Sequence, residues 1–171
     1  MIHIYYGSGK GKTTAAIGLT VRACGAGMKT AFLQFLKNGS SSEIKVIENL
    51  HNSTVICCKE CSKFTFQMNS EEKQLITAVH TDMLKKALNL IDSGEVDFLV
   101  LDEFLDAYGK DMIDIDLAES FIRSFYNKAE IVITGREPTK LFLDYADYVT
   151  EMKAVKHPYQ KGIIARKGIE Y

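Results

Sequence analysis

Several things are missing from this chain, and each absence narrows what it can be. No apolar run approaches the length needed to cross a bilayer, and no charged leader precedes Ile2-His3-Ile4. Neither a membrane-spanning nor a secreted or organelle-imported protein is expected, so the expected location is cytoplasmic. There is no excess charge of one sign: 21 basic and 22 acidic residues leave a formal net charge of −1. Nothing global therefore points to nucleic acid or an anionic membrane as partner. No repeat and no Pro/Ser/Gly-rich linker divides the sequence, and Gly39-Ser40-Ser41-Ser42 is its most loop-like stretch. At 171 residues, 46% hydrophobic and 25% charged, the chain is expected to form a single domain over 1–171. Cysteine is scarce too. Cys58-Lys59-Glu60-Cys61 could begin a zinc site, but no second pair follows, Cys24 is remote, and the nearest histidine is His51. Free or buried thiols are the expectation in a reducing compartment.

What is present is concentrated near the start. His3-Ile4-Tyr5-Tyr6 reads as a strand, and Gly7-Ser8-Gly9-Lys10-Gly11 as a glycine-rich turn. Lys12-Thr13-Thr14 opens a helix. This is the strand, loop and helix context of a phosphate-binding P-loop. Turn amides converge on one concavity, and the helix presents its positive dipole end there. Lys12 adds a point charge for phosphate oxygens, and the Thr13 hydroxyl is placed to ligate Mg²⁺. The spacing is shortened: three residues, not four, separate Gly7 from Gly11, and Lys10 puts a second cation inside the loop.

Apolar runs alternate with amphipathic ones along the rest of the chain. Strands are expected at Ile2–Tyr6, Thr30–Leu36, Thr54–Cys58, Phe98–Leu101, Ile131–Thr134 and Tyr148–Thr150. Helices are expected at Thr13–Ala26, Glu71–Ile91, Asp116–Lys128 and Thr139–Tyr145, with an Asn69/Glu72 capping box before the second. Continuous apolar strands imply burial on both faces. The fold class is α/β, a three-layer sandwich on a mainly parallel sheet, of the P-loop NTPase (RecA-like) kind.

In such a sheet, ligands gather beyond the carboxyl ends of the strands. Phe98–Leu101 stops at Asp102-Glu103, two carboxylates placed to hold Mg²⁺ directly or through water. Ile131–Thr134 stops at Gly135-Arg136, where the glycine lets backbone pass near a ligand and the guanidinium can fork onto phosphate. Val155-Lys156-His157-Pro158-Tyr159 is either a solvated tail or a basic, aromatic wall. Phe64-Thr65-Phe66, if extended, sets two rings on one side, as a platform for a flat ring system or as core. Residue type alone favours the core.

Together these elements resemble the P-loop class of ATP:corrinoid adenosyltransferases. The resemblance rests on GSGKGKTTAAIGLTVRACGAGMK (7–29), QFLKNG (34–39), FTF (64–66), LVLDE (99–103), ITGR (133–136) and the final stretch from 146 to 171. It implies transfer of the 5′-deoxyadenosyl group of ATP to the Co(I) of a corrinoid, cobalamin or a precursor, with release of triphosphate, in adenosylcobalamin biosynthesis or salvage. On that resemblance Gly7, Ser8, Gly9, Lys10, Gly11, Lys12, Thr13 and Thr14 bind ATP, with Arg22 and Arg136 as further nucleotide contacts. Thr13, Asp102 and Glu103 are the metal set. Phe64 and Phe66 pack on the corrinoid, displace its lower axial ligand and join Lys12 as the catalytic residues. The family usually has tryptophan where Phe66 stands, and this chain contains none. By analogy a reductant protein such as a flavodoxin is a partner, and the enzyme is a homodimer. Two other readings compete: a nucleoside kinase-like phosphotransferase, and a non-catalytic ATP/corrinoid-binding switch or chaperone.

Overall fold

Alternation of side chains along three central strands builds the layers of this protein. The computed structural model describes residues 1–63, 65–125 and 127–170. In β2 (Thr30–Gln34), Ala31 and Leu33 join one core cluster while Phe32 joins the other. In β4 (Phe98–Asp102), Leu99 and Leu101 face the first cluster, and Phe98 and Val100 the second. β5 (Glu130–Thr134) repeats the pattern with Ile131 and Ile133 against Val132. The period of two thus sends each strand's apolar residues into two separate cores, which is why the runs look continuous in sequence.

With β1 at Ile2–Tyr6, β3 at Ser53–Cys57 and β6 at Tyr148–Glu151, all strand pairings among the described residues are parallel, in the order β3-β2-β4-β5-β1-β6. β1 and β4, which end in the loop and the acidic pair, are thus separated by β5. β3 and β6 are the edges, and β6 is exposed along its whole length. The architecture is the expected α/β sandwich of P-loop NTPase type.

Helix α1 (Lys12–Gly25) covers one face through Ala16 and Ala23 and is joined there by the short α2 (Ile44–Ile47). Small side chains let this helix lie close over the sheet. The opposite face is covered by α3 (Ser70–Asp92), α4 (Phe104–Tyr108), α5 (Ile115–Phe125) and α6 (Lys140–Tyr145). Phe104, fully buried, meets Phe35, Phe121 and Phe142 edge-on, with centroids 5.3, 6.4 and 6.0 Å away. Such pairs add roughly 0.5–1.5 kcal/mol each beyond the area they bury.

α3 starts where its sequence says it should. The Asn69 side chain accepts from Glu72 N–H at 2.9 Å, and Glu72 accepts from Asn69 N–H at 3.0 Å. Other boundaries move. β2 stops at Gln34 rather than Leu36, because Leu36 takes a left-handed conformation (φ 57°) that ends the pairing. The helix expected over 116–128 ends at Phe125. α2 and α4 were not foreseen: both are about one turn long, too short for a periodic signal. Phe64 lies outside the described residues. Thr65–Gln67 forms a 3₁₀ turn, not an extended segment, and Phe66 is 81% exposed. The expectation of a core position for Phe66 is thereby overturned: a tight turn between two cysteine-anchored and helix-anchored ends lifts its ring outward.

Candidate nucleotide site

Beyond the carboxyl ends of the strands, the loop from β1 to α1 is shaped by the chain leaving β6. Gly7 N–H donates to Arg136 O (3.1 Å), and Gly9 N–H donates to Met152 O (2.6 Å). A Cβ on Gly9 would meet Met152 O at 2.7 Å and the Lys153 carbonyl carbon at 2.8 Å. Those are backbone atoms that cannot swing aside, so glycine is required there by contact. Gly11 (φ 115°) caps α1 in a left-handed conformation, and the first-turn amides have no partner within the helix. Lys12 Nζ folds back to donate to Gly7 O and Gly9 O, both at 2.8 Å. Burial first, then the neighbouring Arg136 guanidinium, pull the Lys12 ammonium below its ordinary pKa. The charge of an arriving anion opposes both effects.

Asp102 is the hub behind this loop. Fully buried, it accepts at Oδ1 from the hydroxyls of Thr13 and Thr134, each 2.8 Å away, and at Oδ2 from Gln34 Nε2 at 3.2 Å. Lys37 Nζ lies 3.6 Å from the same carboxylate and 3.0 Å from Glu103 Oε1. Burial alone would lower the Lys37 pKa, but the two carboxylates outweigh it and raise it. Glu103 moves against its own charged form: burial raises its pKa, and Lys37 only partly offsets this while Asp102 and Asp106 add repulsion. The pair is therefore lopsided. Lys37 is firmly cationic because it serves two acids, whereas Glu103 shares one cation and faces the cavity. Glu103 also takes a left-handed backbone (φ 59°), with its N–H donating to Thr134 Oγ1 at 2.9 Å. That turn aims adjacent carboxylates in different directions, Asp102 inward and Glu103 outward.

The cavity has a volume of about 450 Å³. Its floor is Gly9–Thr14 of the loop, and its walls carry Lys37, Glu103, Asp106, Lys110, Thr134, Gly135 and Arg136. The chain end closes it with Ile169 and Glu170. Five cations (Lys10, Lys12, Lys37, Lys110, Arg136) face three carboxylates (Glu103, Asp106, Glu170), a balance suited to a polyanion. A second depression of about 400 Å³ adjoins it over Thr13, Thr14 and Lys37 and continues along Ile17 and Val46, which are apolar. Gly135 is pressed against α4, since a Cβ there would lie 2.5 Å from Leu105 Cβ. Arg136 Nε is 3.9 Å from Asp106 Oδ1.

The sequence-predicted residues divide. Lys10, Gly11, Lys12, Thr13, Thr14, Gly9, Glu103 and Arg136 converge on the cavity, whereas the buried Gly7 and Asp102 and the exposed Ser8 are not part of its lining. Arg22 sits on the exposed side of α1, ten residues past Lys12 and so about 15 Å along the helix, away from the cavity. Phe66 lines neither depression. Lys37, Asp106, Lys110 and Thr134 were missed. The position of Lys37 just after a buried strand was the available signal; Asp106 lies in α4 and Lys110 in the turn that follows it, and neither had one. The tail resolves into two parts. Val155 and Tyr159 are 88% and 76% exposed, whereas Ile169 and Glu170 return to the cavity wall. Hydrogen bonds from Arg166 hold the Glu170 carboxyl down at about 2, and Lys10 Nζ is 3.5 Å from it.

Hard oxygen donors are what a magnesium ion needs, and Thr13 and Glu103 supply them to the cavity, with Asp102 holding the Thr13 hydroxyl in place. The donor set fits that ion.

A P-loop nucleotide-binding protein is the class that this fold and cavity define. The family model of the ATP:corrinoid adenosyltransferases BtuR/CobO/CobP matches residues 1–171, and the chain belongs to that family. A corrinoid adenosyltransferase of Pseudomonas aeruginosa is 30% identical over 98% of this chain and 82% of its own length. One from a Sinorhizobium species is 30% identical over 100% and 80%, and corrinoid adenosyltransferase CobA of Salmonella typhimurium 29% identical over 100% and 85%. ATP and a corrinoid are therefore the substrates, and a phosphotransferase reading is not favoured. Among the described residues, no helix is long and apolar enough to cross a membrane.

Proposed function

We propose that this protein catalyses transfer of the 5′-deoxyadenosyl group from ATP to the Co(I) of cobalamin or a precursor corrinoid, releasing triphosphate. The observation that carries the reading is the cavity itself: loop amides and five cations gathered at one end of a parallel sheet, in a chain matched over its full length by this family. The cobalt electron pair forms the Co–C bond as the C5′–O bond breaks, and the bonding electrons leave with triphosphate. Cobalt is itself the nucleophile, so no protein base is required. What the chain must do is hold C5′ in line and stabilise charge on the departing oxygens.

Lys12, with Gly9, Lys10, Gly11 and Thr14 around it, takes the phosphate chain, and Gly7 and Ser8 begin the same loop. Arg136 closes on the phosphates from β5. Thr13 and Glu103 would hold Mg²⁺, with Asp102 as the group that orients Thr13 and anchors Lys37. That ion, when bound, supplies further positive charge to the phosphate oxygens. Phe66, exposed on its 3₁₀ turn, is suited to meet an apolar macrocycle, with Phe64 as its expected companion. Arg22 would reach nucleotide only through a second subunit, which accords with a homodimer. A flavodoxin-like reductant would deliver the electron that takes Co(II) to Co(I). Residues 1–171 act as one domain, in the cytoplasm.

The deciding experiment is incubation with ATP, Mg²⁺ and chemically reduced cobalamin. A light-sensitive adenosyl product with stoichiometric triphosphate is expected. ADP in its place would support a kinase, and no product from several corrinoids would leave a binding switch or chaperone.

A further inference from the structure

The cysteine pair after β3 does not lack the partner that its sequence seemed to deny it. His80, at mid-length of α3 and nineteen residues beyond Cys61, enters the same buried space, while His51 is exposed elsewhere. Cys58, Cys61 and His80 are 0%, 6% and 0% exposed, and their ligand atoms all lie within 4.8 Å of one another. The Cys61 N–H donates to Cys58 O at 3.1 Å, a turn that brings both sulfurs to one side.

We propose that Cys58, Cys61 and His80 form a zinc-binding site, a Cys₂His clip that ties the turn after β3 to α3. Three features favour this over two idle thiols and a satisfied core histidine. The first is distance. Cys61 Sγ and His80 Nε2 are 3.6 Å apart. Bonds of roughly 2.3 Å to sulfur and 2.05 Å to nitrogen at a tetrahedral ion put those atoms about 3.6 Å apart. The second is the histidine's orientation. Nδ1 faces Met112 O at 2.8 Å, and a carbonyl can only accept, so Nδ1 carries the proton and Nε2 presents its lone pair to the sulfurs. A backbone carbonyl that holds the other ring N–H in this way is the usual outer support of a zinc-ligating histidine. The third is composition: two thiolates and an imidazole select a soft, tetrahedral divalent ion over magnesium.

The bland reading has two observations on its side: the 3.6 Å contact also suits a Cys61 thiol donating to Nε2, and Leu36 N–H donates to Nε2 at 3.2 Å. That amide comes from the left-handed residue that ends β2, and it can turn to a thiolate sulfur once the ion takes the lone pair. Binding releases the two thiol protons to solvent. Among the described residues no fourth protein donor joins the three, so water completes the tetrahedron. A depression of about 220 Å³ lined by Glu60, Ser62, Met68 and Ile76 flanks the same turn. The clip would anchor the start of the segment that carries Phe66. Only this last consequence rests on the proposed adenosyl transfer; the metal site does not.

Reduced, metal-free protein is titrated with Zn²⁺ against a chromophoric chelator, and separately with Co²⁺. One equivalent of Zn²⁺ per chain is expected, with a thiolate-to-cobalt charge-transfer band for Co²⁺. Cys58→Ser and Cys61→Ser should abolish both, His80→Gln should weaken Zn²⁺ at least about tenfold, and Cys24→Ser and Cys57→Ser should change neither. Because His80→Gln alters a buried group, wild-type protein is also melted with and without Zn²⁺, and a rise of several degrees is expected. Sub-stoichiometric zinc, a cobalt spectrum without the charge-transfer band, or binding that survives Cys61→Ser would overturn the site. So would a Cys58–Cys61 disulfide that forms in air despite saturating Zn²⁺, which would make the pair a redox switch. Loss of adenosyl transfer with intact zinc binding would count against the function and leave the clip standing.

Discussion

The two ends of the reaction are built differently in this protein. The nucleotide end rests on the carboxyl termini of β1, β4 and β5, and its hub, Asp102, is fully buried with four polar partners. The segment proposed for the corrinoid carries a 3₁₀ turn at Thr65–Gln67, and its Phe66 side chain is 81% exposed. Buried, cross-linked polar groups resist change because each partner lost leaves another unsatisfied. An exposed turn can alter its side chains at little cost. The phenylalanine at 66, where tryptophan is usual in this family, lies on the side of the molecule where substitution is cheap.

That contrast can be broken or sharpened by four measurements. Lys12→Ala should give the largest effect, roughly 10²–10³-fold in kcat/KM with every corrinoid, in line with losing one charge-stabilising donor. A loss confined to one corrinoid would place Lys12 outside the phosphate cradle. Next comes Asp102→Ala, which strands the hydroxyls of Thr13 and Thr134, Gln34 and the Lys37 ammonium together. It should cost about 3 kcal/mol in urea unfolding as well as activity. A variant as stable as the parent would show that the hub is not structural.

Phe66→Ala should leave stability within about 0.5 kcal/mol, as an exposed side chain predicts. It should slow reactions started from Co(II) about tenfold, while sparing pre-reduced Co(I), if removing the lower axial ligand is its task. Equal losses from both starting states would contradict that role. The smallest effect is expected for Glu103→Gln on stability. Burial raises the folded-state pKa of Glu103 above its usual 4.5. The folded state therefore prefers the protonated acid, a contribution complete below about pH 4.5 and lost as pH rises through the raised value. The urea midpoint of the wild type should fall relative to Glu103→Gln across that window, while Mg²⁺-dependent ATP use suffers in the variant. Parallel pH profiles would mean that Glu103 ionises as freely folded as unfolded.

Much of the nucleotide end was legible because its parts are contiguous. The strand, loop and helix from His3 to Thr14 make one local unit, and Asp102-Glu103 and Gly135-Arg136 each follow an apolar run directly. Lys37 carried a weaker version of the same signal. Asp106 and Lys110 carried none, since the one-turn α4 and the turn after it have no periodicity to read. Arg22 is the converse case: a residue assigned by resemblance alone sits about 15 Å along α1 from the loop, outside the cavity of its own chain. Phe66 was drawn toward the core by residue type, and the turn at 65–67 sends it outward.

By itself the sequence determined the α/β class, the phosphate loop and the acidic pair, because apolar period and glycine placement act over a few residues at a time. The tertiary structure alone decided that Asp102 turns inward and Glu103 outward, that Ile169 and Glu170 return to the cavity, and that His80 meets Cys58 and Cys61. Each of these joins atoms from elements far apart along the chain. Packing against the sheet sets such distances, and no local pattern encodes them.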